Sequence, residues 1–142
     1  MTELLNTAQR SRLAIVLREL EISLRQADEW LDHFTEQAGV LYRFSLRLPA
    51  GRRALVRRRI ARALQRVVTL AQELDLDAVD EDLAGRIAAE MSAHWSALID
   101  SRSATLRRYG DVHPELAAII DQPLEQLAED ILMIARWVKL ED

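Results

Sequence analysis

Two glutamate–histidine pairs are the first residues of this chain whose types and spacing could do chemistry. Glu29 with His33, and Glu90 with His94, stand four apart, which puts both members of each pair on one helical face. A carboxylate-bridged metal centre in a helical bundle needs a Glu from each of two helices and a Glu-x-x-His from each of the other two, all pointing inward. The spacing here is four, not three. Glu29 and His33 also fall nearly opposite the apolar stripe of their helix, on its solvent side. His94 falls within the stripe of its own helix, beside Trp95 and with Glu90 at the edge, and reads as a hydrogen-bonded core histidine. His113 precedes Pro114 in a connection and reads as an exposed loop residue. Neither a metal nor a cofactor is expected.

Other catalytic patterns are missing from the sequence. The serines at 11, 23, 45, 92, 96, 101 and 103 lie in or beside helical text, with no Gly-x-Ser-x-Gly elbow. The four glycines are isolated, so no loop is built to cradle a phosphate. Cysteine is absent, which excludes disulfides and thiolate metal sites. The expectation is a non-enzymatic protein.

Charge is placed unevenly. Between Glu36 and Glu73 there is no acidic residue but there are nine arginines, so this segment carries +9 while the remainder nets −13. At about 100° per residue, Arg58, Arg59, Arg62 and Arg66 gather opposite the apolar stripe of their helix. Such a guanidinium face suits phosphates or carboxylates. It forms a solvated face, or pairs with acids on the third and fourth helices or on another subunit; the other options are nucleic acid, a membrane surface or an acidic protein. The scarcity of aromatic residues and a pI near 5.4 weigh against nucleic acid.

These residues must be positioned by helices. Leu13, Leu17, Leu20, Leu24, Ala27, Leu31, Phe34, Ala38 and Leu41 alternate spacings of four and three, a single stripe at the period of supercoiled packing. They predict a first helix with Thr2 as its N-cap, reaching about residue 45 or stopping near Gly39; the text from Tyr42 alternates as a strand would, but no partner strand is visible, and continued helix is the favoured reading. Pro49 and Gly51 break it. A second helix is predicted from Arg52 to Leu74 with Val56, Ile60, Ala63, Val67 and Leu70 inward. A third, with Asp80, Glu81 and Asp82 in its first turn, is predicted to run to Tyr109 through Ala84, Ile87, Met91, His94 and Leu98. Pro114 is expected to open a short helix through Ile120, and Pro123 another with the stripe Leu124, Leu127, Ile131, Ile134 and Val138. The fold class that follows is all-α: one domain over residues 1–142, an antiparallel bundle of about four main helices with a long N-terminal one.

A second, thinner stripe on the first helix includes Ile15, Ile22 and Phe44. A helix apolar on two sides is central in its bundle or shared with another chain. The predicted function is therefore an interaction or assembly protein that self-associates through its N-terminal helix. A homodimer is the simplest form, with Ile15, Ile22, Leu24, Leu31, Phe34 and Phe44 as candidate interface residues. The alternative is a nucleic-acid-binding accessory subunit using Arg58, Arg59, Arg62 and Arg66. A third option is a small-ligand pocket lined by Met91, His94 and Trp95. The apolar runs fall far short of the ~20 residues of a membrane span, and with Arg10 and Arg12 interrupting any leader-like run, a cytoplasmic location is expected.

Overall fold

The first apolar stripe forms a helix that starts later and ends earlier than its periodicity suggests. The computed structural model describes residues 4–140, so the expected cap at Thr2 lies outside the described residues. Helix α1 spans Thr7–His33 and is opened by Asn6. The Asn6 side chain accepts from the Gln9 amide at 2.8 Å, and the Gln9 side chain accepts from the Asn6 amide at 3.0 Å. This reciprocal capping box satisfies two of the amides a helix start leaves orphaned.

At the other end the expected continuation to residue 45 does not occur. Phe34 turns extended, with φ −66° and ψ 119°. The chain then folds into a minimal hairpin, β1 (Gln37–Ala38) against β2 (Arg43–Phe44), in antiparallel register Gln37 to Phe44 and Ala38 to Arg43. The period-two text at Tyr42 had a strand partner after all, five residues upstream and too short to show a period. Tyr42 and Phe44 project from the same side of β2, with ring centroids 4.9 Å apart. The Tyr42 ring lies so close to Gly39 that a Cβ there would displace it.

Helix α2 spans Ala50–Glu73, with Ile60 and Val67 buried on its inner face. At 24 residues it nearly matches the 27 of α1, so the length mismatch that a 44-residue first helix implied is absent. Asp75, at φ 54°, closes the helix in the left-handed region. The Arg10 guanidinium donates to the Leu74 and Asp75 carbonyls at 2.7 and 2.9 Å, supplying donors and positive charge where α2 leaves acceptors unpaired. At the far end Arg57 donates to Asp28 at 3.0 Å and pairs with Asp32 at 2.9 Å. These two ties fix α1 and α2 as an antiparallel pair.

Helix α3 spans Leu83–Ile99. Asp82 caps it by accepting from the Ala84 amide at 3.0 Å, so the acids at 80–82 precede the first turn and do not occupy it. The helix also stops ten residues before Tyr109. It breaks at residues 100–102 and resumes as α4 (Ser103–Leu106) and a 3-10 turn at Arg107–Tyr109, ended by Gly110 at φ 146°. The break is held by Asp121, whose two carboxylate oxygens accept from the Ser103 amide at 2.8 Å and hydroxyl at 2.7 Å. No helix starts at Pro123. A single helix, α5, spans Leu116–Trp137 with Pro123 inside it. Proline removes one amide and crowds the carbonyl four residues back. That carbonyl belongs to Ile119, which like Pro123 is exposed on the outer side of α5, so water can take the place of the missing donor.

The fold is thus all-α, with helices packed as α1/α2 and α3/α5 and only four residues of strand among those described. The chain divides between Ala78 and Val79 into two compact units, each built on one of these pairs. Among the described residues no helix is long and apolar enough to cross a membrane.

Candidate interaction faces

The buried rows show where each pair closes and where it stays open. In α3/α5 the buried residues are Ala88, Ala128 and Ala135, small enough to let the two helices approach closely. The residue just before each of them is a large aliphatic that remains exposed: Ile87, Leu127 and Ile134. One residue is about 100° of helix, so these side chains stand on one flank of the pair. The open groove lined by His94, Leu98, Leu127 and Ile131 shows that both helices contribute to that flank. His94 is exposed there, so the core position expected for it is not observed. Of the residues in the predicted Met91–His94–Trp95 pocket, His94 lines this groove.

The α1/α2 pair repeats the pattern with different chemistry. On α2 the residues just before the buried Ile60 and Val67 are Arg59 and Arg66, both exposed. Glu21 and Val68 line the groove on one side of this pair. At about 100° per residue, Val16, Leu20, Leu70, Arg59 and Arg66 fall on the other side. Val16, Leu20 and Leu70 are exposed.

Of the nine arginines in the basic segment, only Arg57 meets a carboxylate among the described residues. Its hydrogen bond to Asp28, and then the charges of Asp28 and Asp32, raise its pKa beyond the ordinary guanidinium value. Arg58, Arg59, Arg62 and Arg66 are all exposed, and the one local bond among them is Arg58 to the Ala54 carbonyl at 3.4 Å. The guanidinium face expected from the sequence is therefore presented to solvent.

The candidate dimer residues are dispersed. Ile15 and Ile22 are exposed on the outer side of α1, away from α2, while Leu24 and Leu31 are half-buried towards α2. Phe34 and Phe44 come together, lining with Trp30 a hollow of about 510 Å³ between the end of α1 and the hairpin. Glu29 and His33 stand at its rim, and His33 Nε2 lies 2.8 Å from Asp32. Among the described residues no three metal-ligating side chains converge, there or elsewhere. Sequence reading missed the two open flanks because Leu20, Leu70, Ile87, Leu127 and Ile134 belong to the apolar stripes and were placed inward with them, while Val16 falls outside the heptad. The adjacency of large and small residues at 87/88, 127/128 and 134/135 was the signal that could have shown them. Comparison with family models, with curated proteins and with solved structures finds no match for this chain.

Proposed function

We propose that this chain is a non-enzymatic assembly protein that self-associates through α1 and the helix packed against it. The observation that carries this reading is unclosed apolar surface within each unit: Val16 and Leu20 of α1 and Leu70 of α2 are exposed in the first, and Ile87 of α3 with Leu127 and Ile134 of α5 in the second. Each such residue leaves part of about 1.5–3 kcal/mol of burial unrealised. Sedimentation equilibrium tests self-association: a dimer at tens of micromolar is expected, and a monomer would overturn the proposal.

A second reading is favoured by one observation, the exposure of Arg58, Arg59, Arg62 and Arg66 without carboxylate partners among the described residues. As a nucleic-acid-binding surface, this face would bind with little sequence preference. Each phosphate contact on duplex DNA would add about −0.9 to the slope of log affinity against log salt. Replacing all four by Gln should flatten that slope, and an unchanged slope would remove the reading.

A further inference from the structure

We infer that the hollow between the end of α1 and the hairpin binds an organic cation of the alkylated-ammonium class. It lies wholly within the first unit and stands independently of the assembly reading. Trp30, Phe34 and Phe44 line it, with Glu29 and His33 at the rim. Trp30 and Phe34 are four apart along α1 and its C-cap, as are Glu29 and His33, so rings and rim groups form two adjacent rows. The third ring comes from β2. The Tyr42 ring stands 4.9 Å from that of Phe44 and fills the space a Cβ at Gly39 would need. The Gly39 amide closes the turn by donating to the Tyr42 carbonyl at 3.0 Å. Helix and hairpin thus bring three rings to one hollow. Its volume of about 510 Å³ falls within the range of small-molecule sites, about 300–1,000 Å³.

Charge selects the occupant. Nine arginines stand between Glu36 and Glu73, yet none lines the hollow. Arg43 precedes Phe44 on β2 and so projects to the opposite face. Of the acids on this part of α1, Asp28 and Asp32 are engaged by Arg57 at 3.0 and 2.9 Å, and Asp32 also meets His33 at 2.8 Å. Glu29 has no ion-pair or hydrogen-bond partner among the described residues. An anion would face that carboxylate with no arginine or lysine in the lining to hold it. A hard metal ion needs several oxygen ligands, and no three metal-ligating side chains converge among the described residues. An alkylated ammonium needs neither. Its charge is spread over methyl groups, and aromatic faces attract it through their quadrupoles. One rim carboxylate supplies the remaining attraction, while Thr35, Gln37 and Ser45 offer hydrogen bonds to the uncharged part of the ligand.

A chemical-shift titration of the full chain tests this, followed at the Trp30 indole and the backbone amides of residues 29–46. The probes are choline and its neutral carbon analogue, in which a tert-butyl group replaces trimethylammonium. A cation over one partly exposed ring gains about two- to fivefold in affinity, so three rings should favour choline over the analogue by about tenfold or more. Glu29→Gln should weaken choline by about two- to fivefold and leave the analogue unchanged. Trp30→Leu keeps an apolar side chain, removes one ring and should narrow the preference for charge by a similar factor. Both residues are exposed, so both variants should keep the circular dichroism of wild type. A trimethylated lysine side chain carries the same chemistry. A trimethyllysine peptide that binds more tightly than both choline and its unmodified counterpart would support the site with a polypeptide as the source. Choline binding at least as tightly as the peptide would support it with a free small molecule. Absence of a saturable shift with choline and the peptide at millimolar concentration would overturn the proposal. So would equal affinity for choline and its analogue, or a Glu29→Gln variant that binds choline as wild type does.

Discussion

Replacing Ile87, Leu127 and Ile134 by Gln should dissociate the assembly while leaving the α3/α5 pair folded. The three are 41%, 46% and 39% exposed, so roughly 0.4–0.45 of each side chain's burial remains to be made by a partner. With about 1.5–3 kcal/mol for complete burial of such a residue, each has about 0.6–1.4 kcal/mol in reserve, and one flank about 2–4 kcal/mol. A two-fold dimer using this flank twice doubles that to about 4–8 kcal/mol, or a rise in dissociation constant of about 10³–10⁵. Glutamine keeps a hydrocarbon stem against the buried alanines and is a better helix former than isoleucine, so the result should sit towards the lower end. Sedimentation velocity across a concentration series gives the constant, and far-ultraviolet circular dichroism reports whether helix survives. Wild type should also show a melting temperature that rises with concentration, and the variant should not. A helical triple variant whose dissociation constant stays within about threefold of wild type would refute the claim that this flank is buried by association.

Three other outcomes follow from the structure. Ala128, 2% exposed at the α3/α5 contact, has no room for a larger side chain; Ala128→Leu should cost about 1–3 kcal/mol in urea unfolding, and a neutral result would mean the helices are not packed as closely as described. Asn6→Ala removes one half of the capping box and should cost about 1 kcal/mol, visible as loss of amide protection in the first turn of α1. The Ser103 amide, then its hydroxyl, and then the charge of Arg102 hold the Asp121 carboxyl below its ordinary value. A depressed carboxylate stabilises the fold above its unfolded value near 3.8, and that contribution disappears as pH falls through the lower folded value. Asp121→Asn should therefore be less stable than wild type near neutrality and converge with it in strong acid; a difference that does not change with pH would show that the ionised form is not what Ser103 selects.

Much of the secondary structure was legible in the sequence because apolar period survives local detail. The stripes at 13–31, 56–70, 84–98 and 124–134 all lie on helices. What was not legible turned on single contacts. The box at Asn6 and Gln9 follows the spacing of a capping pair, yet the threonine nearer the start drew the first helix four residues too early. The end of α1 depends on whether two residues at 37–38 find two at 43–44, and a ladder that short leaves no period to read. Pro123 looked like a start because proline removes an amide; whether the orphaned Ile119 carbonyl faces water or protein is a tertiary fact.

The same distinction governs the candidate faces. A period says which side of a helix is apolar, but not how many neighbours cover it. In α5 the stripe Leu124, Leu127, Ile131, Ile134 and Val138 spans about 80° of the wheel, and the buried Ala128 and Ala135 lie beside it rather than within it. One neighbour, α3, takes the alanine row at 128 and 135 and the half-buried Leu124 and Ile131, and leaves Leu127 and Ile134 in water. That exposed edge is what the Ile87, Leu127 and Ile134 substitutions probe: if association buries it they weaken the dimer, and if it does not they leave the dissociation constant where it was.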